Sequence, residues 1–177
     1  MKIAAVDAMI VDYLAQAMDG GCRSPVEDSG SLGTERLAAF RLFLWSDMAV
    51  LPTALKQLAE IKDLAWCRRL ERLLLFQLPE AQIPDSAQWA IDVRASVLAQ
   101  HHSCPADCRI VAEAESIGAA ALLTFDHKLR KHLIPHATLP LVTPSEYWAT
   151  LAIPRGEASR WVPEGSNPLS RETWWHW

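Results

Sequence analysis

The chain has 177 residues, 50% of them hydrophobic, with 17 basic and 21 acidic side chains and a formal charge of -4. That length allows one domain, or one domain with an appendage, and a core large enough to need neither disulfide nor structural metal. The acid excess leaves no global cationic field for nucleic acid or an anionic membrane surface, and no window holds the ~18 unbroken apolar residues of a membrane span.

In chain order, residues 3–6 are an apolar run that ends on a carboxylate, Asp7, and read as a buried strand. The sequence reaches that charge too soon for a signal peptide. Ala8 to Met18 has helical spacing, and 19–33 collects Gly, Ser, Pro and Asp as a long loop. A helix is expected from Thr34 to about Trp45, capped by Thr34 or Gly33, then a short strand from Asp47 to Leu51, closed by Pro52. Thr53–Ile61 and Leu64–Leu78 are helical, Pro79 and Pro84 bracket a break, and Ser86 starts a helix running to about His101. Pro105 sits at a first helical position after Ser103 and Cys104, and that helix stops at Gly118. Ala119–Phe125 is an apolar strand ending on Asp126. A short basic helix (Lys128–Leu133), a strand (Leu139–Val142) and a helix opened by Thr143-Pro144-Ser145-Glu146 complete the pattern.

Short apolar strands without alternation, separated by helices, predict a short parallel sheet covered on both faces, a three-layer α/β/α sandwich. From residue 151 the composition changes, and residues 154–177 hold Trp161, Trp174, Trp175 and Trp177. This Trp-rich extension is expected to pack on the domain or on a partner, because clustered exposed aromatics signify contact. The four cysteines, Cys22, Cys67, Cys104 and Cys108, lack a secreted-scaffold pattern, which points to a reduced, cytoplasmic setting.

Neither a dinucleotide-binding glycine motif nor a P-loop is present, nor is there a zincin or nucleophile-elbow motif. Asp7 and Asp126 remain, both at the C-terminal ends of strands where parallel sheets form clefts, with Asp107 in the first turn of a helix just upstream. Singly, each has an ordinary role as helix cap or dipole partner. Together, three hard anionic oxygens at one sheet edge suit Mg2+ or Mn2+, which acidifies water and stabilises the leaving oxygen of a phosphodiester. Hydrolases of small phosphate esters also place acids at strand ends, but they need a nucleophilic Asp and a distant Lys that no segment here identifies.

Asp107-Cys108-Arg109-Ile110-Val111-Ala112-Glu113-Ala114, then Gly118 and Leu122-Leu123-Thr124-Phe125-Asp126, resemble the C-terminal half of a PIN domain. Val142-Thr143-Pro144-Ser145-Glu146-Tyr147-Trp148 resembles that family's closing strand and helix, and Asp7 matches its opening motif. The resemblance covers 1–150, with its specificity concentrated in 107–126. It implies a PIN-like domain with Asp7, Asp107 and Asp126 as catalytic, metal-binding acids of an RNA endonuclease. Many such proteins are toxins of the VapC-like kind, which implies an antitoxin protein as partner.

The pattern departs from the family at one position. The glutamate usual in the helix after the second strand is replaced, in the best register, by Gln57. Gln57 can relay a hydrogen bond but holds no cation by charge; Glu60, three residues on, is the candidate substitute. If neither serves, the expectation becomes a weakened or inactive module that binds RNA or protein. Thr124 is placed to bond a carboxylate or water, and Lys128, Arg130 and Lys131 to steer RNA phosphates. Arg68, Arg69 and Arg72 read as a solvated face, and His101-His102 with Cys104 and Cys108 fit no common zinc spacing. The aliphatic helices around 37–45 and 64–78 are rich enough (Leu70, Leu73, Leu74, Leu75, Phe76) to pair with another helix or a second copy, as in a homodimer.

Overall fold

The four apolar runs form one parallel sheet. In the computed structural model, which describes residues 3–20, 24–25, 30–76 and 78–177 and all of their side chains except 61 and 74–76, the strands are β1 (Ala4–Val6), β2 (Met48–Val50), β3 (Leu122–Leu123) and β4 (Leu141–Val142). They pair in the order β2-β1-β3-β4, with Ala5 opposite both Ala49 and Leu122, and Leu123 opposite Val142. Successive strand side chains point to opposite faces, and every residue of β1, β2 and β3 is buried. Both faces of the sheet are therefore covered, and the fold is mixed α/β with an α/β/α layout.

The strands are shorter than the apolar runs, although single bonds extend the ladder: Ala120 N–H donates to Ile3 O (2.8 Å) and Thr124 N–H to Val142 O (3.1 Å). At the opposite edge the chain uses a segment that looked like a simple break. Val50 N–H donates to Pro79 O and Ala81 N–H to Val50 O, so the stretch around Glu80 pairs parallel to β2. Pro79 can serve there because only its carbonyl is asked for.

Helix α1 (Ala8–Asp19) follows β1 directly. Helix α2 (Ser31–Trp45) begins three residues before the expected Thr34, with Gly30 at φ 99° turning the chain into it. No proline stands between Ser31 and Thr34, and the positive φ that glycine tolerates marks the junction instead. Cys22 and six other residues of the expected 19–33 loop lie outside the described residues. Helices α3 (Pro52–Ile61) and α4 (Leu64–Phe76) come next, then a 3-10 turn (Asp85–Ala87) leading into α5 (Gln88–Leu98). The expected run to His101 fails because the end tightens: Gln100 N–H bonds Val97 O and His101 N–H bonds Leu98 O, three residues back. Helix α6 (Pro105–Ser116) has Pro at its start and stops before Gly118, at φ 64°. Helices α7 (His127–Leu133) and α8 (Pro144–Thr150) flank β4.

Helix α2 packs on α8, α1 on α4, and α6 on α5 and α3. Asp12 ties α1 to α4 by accepting from Trp66 Nε1 (3.1 Å) and to the end of α3 by pairing with Lys62 (2.9 Å). Leu70 and Leu73 are buried, Arg68 and Arg72 are exposed as expected, and Arg69 pairs with Asp19. The expected apolar role of Leu74, Leu75 and Phe76 rests on side chains outside the described residues.

The extension from 151 packs on the domain itself. Trp45 on α2 meets Trp148 and Trp175 edge-on at 5.9 and 5.8 Å, and Trp175 Nε1 donates to Leu169 O. Arg41 donates to His176 O (3.2 Å), and its guanidinium lies 4.5 Å from the Trp177 ring centre. Residues 42–45 of α2 are consecutively buried, and α8, α1 and this aromatic layer all pack against the helix. No described helix is long and apolar enough to cross a membrane.

Candidate active site

From β1 the chain crosses to β2, and from β3 it crosses the other way to β4. A crevice therefore opens between the C-terminal ends of β1 and β3, the switch point where parallel sheets bind ligands. Asp7 follows β1 immediately, and Thr124-Phe125-Asp126 follow β3. The first turn of α6 brings in Asp107. These three aspartates, Ala8, Met9, Gln57, Ile110 and Leu129 line one cavity of about 130 Å3. Residues 100 and more apart in the chain thus meet where the strand ends predicted a site.

Each carboxylate is held by one or more protein donors. Asp7 is buried, accepting Ile10 N–H on Oδ1 (3.0 Å) and the Thr124 hydroxyl on Oδ2. Thr124 Oγ1 in turn accepts Asp126 N–H (2.9 Å), so this threonine couples the two strand ends. Asp126 Oδ1 caps α7 through Lys128 N–H (2.7 Å) and Leu129 N–H (3.0 Å). Asp107 Oδ2 is bonded to His102 Nε2 (2.8 Å). Capping and a site role coexist here, because a cap uses one oxygen. Among the described residues, Asp107 Oδ1 and Asp126 Oδ2 accept no hydrogen bond.

Burial pushes the Asp7 carboxyl from its ordinary 3.8 up to about 6, against the hydrogen bonds from Thr124 and Ile10, with the charges of Asp107 and Asp126 adding to the rise. A cation among the three would relieve that effect of Asp107 and Asp126 on Asp7. Among the described residues no three His, Cys, Asp or Glu side chains are gathered into a ready-made ion cage. The donor set itself is the hard-oxygen kind that Mg2+ or Mn2+ takes alongside several waters.

Gln57 lies on the cavity wall, in the register expected for the missing acid. Glu60 is not on this wall. Three residues further along α3 it is rotated by about 60° and raised by about 4.5 Å. It is exposed and lines a neighbouring cavity of about 700 Å3 between α3, α5 and α6, of which Gln57 is also part of the wall. In that larger cavity Glu113 is buried and accepts Thr53 N–H (3.1 Å) and Oγ1–H (2.5 Å), with Arg109 Nε 3.3 Å away. Arg109 also bonds Asp92 and Gln88.

The basic turn after Asp126 divides. Lys128 and Lys131 are exposed, as a phosphate-steering role needs. Arg130 is not offered to a phosphate: it donates to Glu146 Oε2 (2.5 Å) and Leu141 O (3.2 Å), tying α7 to β4 and α8. His102, which fits no zinc spacing, is an unexpected neighbour of the site. Its position five residues before Asp107, across the start of a Pro-initiated helix, was the available signal.

No protein-family model matches the chain, and no curated protein matches it either.

Proposed function

We propose that the chain is a divalent-cation-dependent endoribonuclease on a PIN-like scaffold, with Asp7, Asp107 and Asp126 as its cation-binding acids. The observation that carries this reading is the convergence of the three carboxylates on one cavity at the sheet's switch point, with Asp7 raised to about 6. A divalent cation, when bound, supplies acidity to water and charge stabilisation to a phosphodiester. The chain's own residues do the rest. Asp7, fixed by Ile10 N–H and Thr124, presents a buried charge that cannot rotate away. Thr124 keeps Asp7 and Asp126 in register, and Lys128 and Lys131 supply exposed positive charge beside Asp126 for an approaching phosphate.

The test is a calorimetric titration of the purified chain with Mn2+, followed by incubation with single-stranded and structured RNA. Manganese-dependent cleavage lost in Asp7→Asn and Asp126→Asn supports the reading; no uptake at millimolar Mn2+ sinks it. A toxin role with a small antitoxin partner is the setting the family resemblance suggests, and a small co-purifying protein would test it. Gln57 on the cavity wall favours a second reading, a binding module whose catalysis has weakened. That reading expects RNA retention without cleavage.

A further inference from the structure

We propose that His102 is a positioning residue for Asp107, and that His132 braces it from behind. The inference rests on the assignment of Asp107 as a cation-binding acid. His102 is 7% exposed, and both of its ring nitrogens are engaged. Nε2 stands 2.8 Å from Asp107 Oδ2, and Nδ1 stands 3.1 Å from His132 Nδ1. An ionised carboxylate only accepts, so the proton on that first bond belongs to His102 Nε2. The bond occupies Oδ2 and leaves Oδ1 as the oxygen of Asp107 free of protein partners among the described residues.

The loop that carries His102 is built to hold it. The Cys108 thiol donates to His102 O (3.6 Å), fixing the backbone from the first turns of α6. The preceding His101 stacks on His136 with ring centres 3.5 Å apart and planes 10° from parallel. Two consecutive histidines therefore engage two partners four residues apart, His132 in α7 and His136 just beyond it. The same clasp joins the segment bearing Asp107 to the helix that Asp126 caps. Partners behind a ligand that fix its rotamer typically change metal affinity by ~10–100-fold when removed. A carboxylate without this bond would sample rotamers other than the one that lines the cavity.

The experiment titrates Mn2+ calorimetrically into the full chain as wild type, His102→Ala, His102→Gln, His132→Ala and Asp107→Asn, with thermal melting of each. His102→Ala should weaken Mn2+ binding about tenfold. His102→Gln, whose amide N–H reaches about as far as Nε2, should recover most of it. His132→Ala changes an exposed residue and should give a smaller loss in the same direction, and it carries the test should His102→Ala not fold. Cleavage by His102→Ala should be restored by raising Mn2+, so that the apparent metal constant moves and kcat does not. Wild-type affinity in His102→Ala, or equal losses in the Ala and Gln variants, would overturn the positioning role. Mn2+ uptake absent in wild type, or unchanged in Asp107→Asn, would instead overturn the assignment of the acids.

Discussion

Gln57 separates two cavities, and the buried carboxylates on its two sides meet opposite surroundings. In the larger cavity Glu113 is satisfied by a helix N-terminus, a hydroxyl and the Arg109 guanidinium, and Arg109 is itself paired again. In the smaller one Asp7, Asp107 and Asp126 face each other, and the described side chains supply hydrogen bonds there but no arginine or lysine pairing. Folding alone favours the first arrangement, since an unpaired buried charge costs several kcal/mol. The second makes sense where a ligand of opposite charge completes it. The difference separates a structural carboxylate from a functional one more sharply than burial does, since Glu113 and Asp7 are buried alike.

The strongest way to break this comparison is to neutralise the small cavity. Asp7→Asn or Asp107→Asn should lower RNA cleavage by on the order of a thousandfold, the several kcal/mol that charge stabilisation at a phosphodiester supplies. Single-turnover assays at fixed Mn2+ would check it. A cleavage rate within threefold of wild type would mean that Asp7 serves only as a cap and Asp107 only as a partner of His102.

The pH dependence of stability is the next largest effect, and its sign follows from the raised carboxyl of Asp7. The folded chain holds that proton up to about pH 6, while the unfolded chain releases it near 3.8. Between those values Asp7 binds more protons in the folded state, so its own contribution to stability falls as pH rises and is flat above about 6. The loss amounts to at most about 3 kcal/mol. In chelator, Asp7→Asn should therefore be more stable than wild type at pH 7, and the gap should close towards pH 4. Urea melts of both proteins across that range test it; a gap independent of pH would remove the electrostatic account. Mn2+ should offset the gap by stabilising wild type selectively, by about 2.7 kcal/mol at a hundredfold excess over Kd, and reverse the order at a thousandfold excess, about 4.1 kcal/mol.

The larger cavity should respond in the opposite sense. Glu113→Ala leaves Thr53 N–H without its acceptor and Arg109 without one partner. A loss of about 2–3 kcal/mol is expected, below the full cost of breaking a buried pair because Arg109 is partly open to water. Mn2+ affinity should stay within twofold, which denaturation and calorimetry would read together. Smallest of all, Gln57→Glu adds a fourth acid to the shared wall. It should tighten Mn2+ binding about tenfold and cost the cation-free protein about 1 kcal/mol. Unchanged affinity would show that position 57 does not face the cation.

Much of this layout was legible before the structure. Asp7 and Asp126 end apolar runs, Pro105 and Gly118 bracket a helix, and Thr143 with Glu146 forms the capping box its motif suggests. These are local signals, set by backbone geometry within a few residues. Glu60 lies near the helical face of Gln57, and only the packing of α5 and α6 beside α3 gives it the larger cavity; Arg130 depends on its partner too, since nothing near it in sequence indicates that Glu146 and Leu141 O take its donors. His102 was overlooked because its value lies in a contact with Asp107 and His132, not in a spacing.

The sequence by itself determined the strands, the helices and the placing of an acid at the end of β1 and of β3, because periodicity and capping act over a turn or two of chain. Tertiary structure alone decided which acids share a cavity, that Glu113 caps α3 and Glu35 caps α8 from distant helices, and that the tryptophan-rich extension lies on α2 and α8. Those contacts join residues as far as 130 positions apart. Their partners are selected by packing, since a buried polar group takes whichever complementary group the fold brings within hydrogen-bond reach.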